Sequence, residues 1–202
     1  MHSYIRTPEA LAESVAAFRR ESLVGADTEA ASFHRYRDRI FLVQLSSRDG
    51  RTAIIDPLAL PDLAPLGELL ADQAVEKVFH DADYDLRILD RDYRFRAARI
   101  FDTRIAAQLA GEPAVGLAAL LEKYVGVKLA KEHQKADWSR RPLPPAMLEY
   151  AGRTPSTCRP CGTRCETVSH SSAASPGRRK SSRPSNPCAG PARRKPPTRS
   201  CG

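Results

Sequence analysis

Two carboxylates, two residues apart, are the first feature of this sequence that could do chemistry. Asp27 and Glu29 lie in the segment GADTEA, which follows the apolar residues Leu23 and Val24. Alternate side chains of a β-strand share a face, so both carboxylates would project together from a strand end. Such a pair repels itself unless a cation neutralises it, and Mg²⁺ prefers oxygen ligands of this kind. The pair indicates either a divalent metal site or a solvated strand end with two surface acids.

A second acidic segment, KVFHDADYDLRIL, places Asp85 at the start of a predicted helix. A carboxylate there interacts favourably with the helix dipole without any metal, and this interpretation is favoured for Asp81 and Asp83. For Asp85, a metal ligand and a dipole partner both remain open. His80 is a candidate nucleic-acid contact, although a lone histidine beside a strand end more often makes a structural hydrogen bond.

Basic and aromatic residues supply further candidates for contact with a nucleic acid. In KEHQKADWSRRPL, Lys135 and Arg141 could touch phosphates, whereas Trp138 is predicted to anchor the loop in the core. In FHRYRDR, Phe33 could stack on a base. The alternative for each basic residue, and for Phe33, is an exposed loop or hairpin without a ligand.

The elements that must position these residues follow from hydrophobic periodicity. The segments LVGADTEA, RIFLVQLSS and RTAIIDPL predict three strands with short links, of which the Asp49-Gly50 link is a hairpin signal. The start of the chain up to Val15 is polar and is predicted to be helical. Alternating helices and strands follow the three-strand meander, so the sequence predicts an α/β fold with a mixed sheet flanked by helices.

Composition divides the chain near Ala151. Residues 152–202 contain eleven of the 32 Lys and Arg residues, one of the 24 acids, all five cysteines and eight of the sixteen prolines. Residues 1–151 are therefore nearly neutral and long enough to bury a core, and we expect a single cytoplasmic domain there. Residues 152–202 are too rich in Pro, Ser and Arg to form a core, and we expect a disordered basic tail.

Three segments together resemble the ribonuclease D family of DEDD-type 3′–5′ exonucleases: VGADTEA, VFHDADYDLRIL and DWSRRPLPPAMLEYA. The resemblance covers roughly residues 5–151 and implies a ribonuclease H-like fold. It implies that Asp27, Glu29 and Asp85 help to bind two Mg²⁺ or Mn²⁺ ions, and that the hydroxyl of Tyr150 orients the attacking water. For Asp102, a helix N-cap is favoured over a metal ligand.

The resemblance also implies hydrolytic release of nucleoside monophosphates from a nucleic acid with a free 3′ end, RNA more than DNA. The family's third motif has an acid four residues after its tyrosine, whereas this chain has Thr154 there. The enzyme is therefore expected to be impaired, with Tyr150 on a frayed helix end. The alternative is a non-catalytic nucleic-acid-binding protein that retains the fold.

The cysteines after Tyr150 indicate how the motif was lost. A cysteine codon read one nucleotide earlier encodes only Leu, Met or Val, so Cys158, Cys161 and Cys165 would each replace an aliphatic residue. Their spacing of three and four is then the apolar stripe of a helix. We infer that residues from about 152 onward are translated out of frame; a zinc site or an RNA-binding tail is the alternative.

This interpretation makes a first prediction about residues 152–202. Limited proteolysis should trim the 202-residue chain back toward Ala151 before it cleaves the domain, because the tail cannot bury enough apolar surface to offset its ordering entropy. The measurement is the intact mass of the product over a time course. A protease-resistant tail, or one zinc ion retained per chain after dialysis, would contradict the prediction.

Overall fold

The computed structural model describes residues 2–30, 39–129 and 136–153. These ranges contain six strands: β1 (His2–Ile5), β2 (Leu23–Ala30), β3 (Ile40–Ser46), β4 (Thr52–Ile55), β5 (Glu76–Phe79) and β6 (Ile100–Asp102). They contain six α-helices: α1 (Pro8–Phe18), α2 (Ala64–Ala71), α3 (Asp83–Tyr93), α4 (Thr103–Leu109), α5 (Leu117–Val125) and α6 (residues 145–153). No helix in these ranges is both long and apolar enough to cross a membrane.

The strands form one mixed sheet in the order β1-β4-β3-β2-β5-β6. The predicted meander is present, since β3 pairs antiparallel with both β2 and β4. The remaining neighbours pair in parallel. This arrangement confirms the α/β fold with a mixed sheet, and it places β2, which carries Asp27 and Glu29, in the interior of the sheet.

The prediction of a helical start to the chain is wrong for residues 2–5. These residues form β1, an edge strand that pairs with β4 from His2 opposite Thr52 to Ile5 opposite Ile55. Only Ile5 of this strand is buried. An edge strand with one buried side chain lacks the alternating pattern by which a half-buried strand is recognised. The helix starts later, at Pro8, and the side chain of Thr7 is its N-cap.

The two faces of the sheet carry separate cores. On one face, which we call the α1 face, Val24, Ala26, Val43 and Leu45 pack with α1, α2 and α3. On the opposite face, which we call the α6 face, Leu42 and Ile54 pack with Trp138, Met147 and Ala151. Trp138 is 1% exposed, which confirms its predicted place in the core.

A buried ion pair attaches the segment that precedes α6 to the sheet. Asp56, directly after β4, is 1% exposed and accepts hydrogen bonds from Nε and Nη2 of Arg141 at 2.7 and 2.8 Å. The hydroxyl of Tyr4 in β1 donates to the same carboxylate at 2.5 Å. One carboxylate therefore joins β1, the end of β4 and the segment that leads into α6.

Substitution of Asp56 tests how much its carboxylate contributes to the free energy of unfolding. Asp56→Ala should lower the free energy of unfolding by about 3 kcal/mol, because it leaves the half-buried Arg141 without its charge partner. Glu68→Ala, which removes a solvent-exposed partner of Arg19, is the matched control and should cost less than about 1 kcal/mol. Urea unfolding followed by fluorescence of Trp138 measures both. Equal effects of the two substitutions would contradict the structural role of Asp56.

Candidate active site

Asp27 and Glu29 project from the second half of β2 on the α6 face of the sheet. Asp27 lies opposite Gln44 and Glu29 lies opposite Leu42 in the β2–β3 ladder, and Leu42 belongs to the α6-face core. Both carboxylate residues are half-buried. The predicted common face of the pair is therefore present, and a solvated strand end does not describe it.

Asp85 reaches the same strand from α3. Its carboxylate accepts a hydrogen bond from the hydroxyl of Thr28, the residue between the two strand acids. Asp85 is 9% exposed, although it lies in the first turn of α3. A helix-dipole interaction alone would leave the side chain at the surface, so the structure joins Asp85 to the acidic pair.

Burial and neighbouring negative charges disfavour the ionisation of all three carboxylates. Burial, followed by the charge of Asp85, raises the pKa of Asp27 well above its usual range. Burial and the charges of Asp27 and Asp85 do the same to the pKa of Glu29. Burial raises the pKa of Asp85 to about 6, although the hydrogen bond from Thr28 acts in the opposite direction. Such a cluster binds a cation favourably, because a positive charge removes the repulsion.

The donor set matches a hard divalent ion in chemistry, since all three groups offer carboxylate oxygens. Among the described residues, no group of three or more His, Cys, Asp or Glu side chains is gathered closely enough to hold a metal ion. The three acids therefore lie near one strand end, but not close enough together to form one three-ligand metal site. The family's fourth acid would fall at Thr154, outside the described residues.

Tyr150 lies on α6, over the face that carries the strand acids. Its ring centroid lies 6.1 Å from that of Trp138, and its neighbour Ala151 is fully buried. Burial, together with the charges of Glu29 and Asp27, raises the pKa of Tyr150 to about 12, so its hydroxyl keeps its proton at neutral pH. Tyr150 is thus braced by the core, and the prediction that it lies on a frayed helix end is wrong.

Asp102 has a wider role than the N-cap that the sequence predicted. Its carboxylate accepts from the backbone N–H groups of Arg104 and Ile105 at the start of α4, which confirms the cap. It also accepts from the backbone N–H groups of Asp81 and Ala82, in the loop that leads into α3. One side chain therefore fixes both the start of α4 and the approach to Asp85.

His80 makes a structural hydrogen bond in this loop. Its Nδ1 lies 2.9 Å from the hydroxyl oxygen of Thr103, and that hydroxyl donates to the carbonyl of Phe79. Because the hydroxyl proton is used, Nδ1 donates to Thr103. Burial also lowers the pKa of His80, which disfavours a positive charge there. Contact between His80 and a nucleic acid stays a prediction.

The other three predicted nucleic-acid contacts have different outcomes. Phe33 and Lys135 lie outside the described residues. Arg141 is described, and it uses its five N–H groups for two bonds to Asp56 and for bonds to the carbonyls of Phe41, Trp138 and Arg140. A phosphate would have to displace one of these partners, so the structure gives Arg141 a structural role in place of the predicted phosphate contact.

Comparison with known proteins agrees with this geometry. A family model described as 3′–5′ exonuclease matches residues 2–153. The chain belongs to this family. Ribonuclease D of Gluconacetobacter diazotrophicus is 42% identical over 149 residues, which cover 73% of this chain and 38% of that protein. The chain spans about two fifths of the length of the ribonuclease D relatives it matches, and the resemblance to ribonuclease D is confirmed.

Solved structures show the same fold. Escherichia coli RNase D, described as an exoribonuclease involved in structured RNA processing, matches with a TM-score of 0.80 at 30% identity. The match covers 86% of this chain and 46% of that one. Brucella melitensis NrnC with bound Mg²⁺ matches with a TM-score of 0.71 at 23% identity, over 85% of this chain and 81% of that one, and shows the shared fold.

The raised carboxylate pKa values predict how the stability of the metal-free exonuclease domain depends on pH. Folded Asp85 holds a proton that the unfolded chain releases. Its contribution to the free energy of unfolding is therefore complete below its unfolded pKa of 3.8 and is lost as pH rises through its folded pKa of about 6. Asp85→Asn removes this titration and should make the fall in stability shallower by up to about 3 kcal/mol.

The measurement is urea unfolding in EDTA at a series of pH values. Asp83→Asn is the matched control, since Asp83 lies in the same turn of α3 with an exposed side chain. Parallel curves for Asp85→Asn and the unmodified chain would contradict the coupling of Asp85 to the folded state.

Proposed function

We propose that this chain is a metal-dependent exoribonuclease that removes nucleoside 5′-monophosphates one at a time from a free 3′ end. The observation that carries the proposal is the convergence of three mutually repelling carboxylates at β2, beneath the tyrosine of α6. The names and descriptions of the relatives favour RNA as substrate.

Asp27, Glu29 and Asp85 would hold Mg²⁺ or Mn²⁺, two ions by family resemblance. The ions, when bound, supply activation of water and neutralisation of charge on the phosphate and the leaving oxygen. The reaction adds water to the terminal phosphorus and breaks its bond to the 3′ oxygen of the preceding nucleotide. That oxygen leaves as a hydroxyl after it gains a proton, and the nucleotide departs as a 5′-monophosphate.

Tyr150 orients the attacking water in this proposal. Its pKa of about 12 keeps the hydroxyl protonated at neutral pH, so it can donate or accept a hydrogen bond without a charge of its own. Trp138 and the buried Ala151 fix the ring on the α6 face. A fixed hydroxyl helps catalysis because it holds the water in a reactive orientation.

A second candidate is a nucleic-acid-binding protein that retains the fold without catalysis. It is favoured by Thr154, which stands where the family has an acid. Loss of one charge-stabilising group commonly costs about 10²–10³ in rate. We therefore propose that the chain is an impaired enzyme, and that the out-of-frame translation from about residue 152 is the cause.

Digestion of a 5′-labelled RNA in Mn²⁺ separates the two candidates. We expect the chain as it is to shorten the RNA slowly from its 3′ end. Asp27→Asn should shorten it at least about 100-fold more slowly, and the control variant Asp83→Asn should keep the unmodified rate. A 3′-phosphorylated RNA is the control substrate, because it has no free 3′ hydroxyl. RNA binding without any Mn²⁺-dependent shortening would establish the non-catalytic alternative.

The effect of the altered frame is measured in the same assay. A frame-restored chain should digest RNA about 10²–10³-fold faster than the chain as it is. Thr154→Asp alone should recover little, because the predicted continuation of the helix is restored only in the other frame. Equal rates for the chain as it is and the frame-restored chain would show that the third-motif acid is dispensable here.

A further inference from the structure

Gln44 is a buried amide whose polar atoms have no partner in the described part of the chain. It is 0% exposed, and neither Oε1 nor Nε2 makes a hydrogen bond there. It lies in the middle of β3, and its neighbour in the same-face row, Leu42, packs into the α6-face core. Buried amides are almost always hydrogen-bonded, so an unpaired one requires an explanation.

The ladder register gives Gln44 one polar neighbour beside it. Across β3 it lies opposite Asp27 of β2 on one side and opposite Ile54 of β4 on the other. Side chains that are directly opposite in an antiparallel pair have Cβ atoms about 4.5–5.5 Å apart. The amide of a glutamine lies two carbons beyond Cβ, at Cδ, which brings it within reach of the Asp27 carboxylate.

We propose that Gln44 is a positioning residue for Asp27, to which its amide N–H donates when the acidic site holds a divalent ion. This inference rests on the proposed function. Carboxylates that bind metals are commonly held by hydrogen bonds from residues behind them, and loss of such a partner costs about 10–100-fold in metal affinity.

A purely structural role is a poor account of this side chain. An apolar residue of similar volume would fill the same space without burying an unsatisfied donor and acceptor. Trp138 offers a competing partner, because its indole Nε1 is also buried and unpaired among the described residues. If Gln44 served Trp138 alone, its replacement would change the environment of the indole and would leave ion binding unaltered.

The test compares Mn²⁺ binding by the full chain and by four variants. Binding is measured by calorimetry and by the electron paramagnetic resonance signal of free Mn²⁺. Gln44→Leu and Gln44→Met remove the amide at similar volume. Ser46→Ala is the matched control: Ser46 lies on the same face of β3, and its hydroxyl is buried without a partner in the described ranges, but it lies opposite Gly25 instead of an acid. Asp27→Asn reports whether the acidic site is the one that binds.

We expect both Gln44 variants to weaken Mn²⁺ binding about 10–100-fold, and Ser46→Ala to remain within twofold of the unmodified chain. Both Gln44 variants should be at least as stable as the unmodified chain in EDTA, as measured by fluorescence of Trp138, the single tryptophan. A structural role alone would not separate ion affinity from stability in this way.

The remaining outcomes overturn the inference, and they differ from those that overturn the proposed function. If the chain binds Mn²⁺, loses it in Asp27→Asn and keeps full affinity in the Gln44 variants, the positioning role is wrong and the proposed function stands. If both Gln44 variants fail to fold in EDTA, the amide has a structural partner and the positioning role is again wrong. If the unmodified chain binds no Mn²⁺, the proposed function fails, and this inference fails with it.

Discussion

Repulsion among three carboxylates at the end of β2 is the constraint on which the rest of the structure depends. Burial raises the pKa values of Asp27, Glu29 and Asp85, and the charge of Asp85 adds to the effect at Asp27 and Glu29, so the fold is less stable with all three ionised. A surface cluster would relax by turning the side chains into solvent. Here Asp85 is buried and bonded to Thr28, so the charge is relieved either by protonation or by a bound cation.

The fold holds two of these groups together through an interior strand. β2 pairs with β5 from Leu23 to Gly25 and with β3 along Asp27 and Glu29, so the two strand acids cannot separate without breaking the sheet. Asp102 holds the loop that leads to Asp85, and Asp56 holds the segment that leads to Tyr150. Each catalytic candidate thus stands on a regular element, and a carboxylate outside the cluster secures the approach to α3 and to α6.

The sequence predicted the features that depend on local pattern. The period of two in β2 placed Asp27 and Glu29 on one face, and the apolar runs identified β3, β4 and α3. Features that depend on distant partners were not predictable. Arg141 resembled a phosphate contact because its partner Asp56 lies 85 residues away. The place of Gln44 opposite Asp27 was not predictable from the sequence, because it depends on the register of the β2–β3 ladder.

Helix α6 shows how much of the site can persist when its last motif is altered. The family match and the described helix both extend to residue 153, although the composition changes at about residue 152. Met147 and Ala151 attach α6 to the sheet, and Trp138 contacts the ring of Tyr150. These anchors all precede Gly152, so the tyrosine is held by residues that lie before the change in composition. The damage predicted for this chain therefore lies in the missing acid and in the helix continuation that would carry it, because the tyrosine and the three other carboxylates are already held in place.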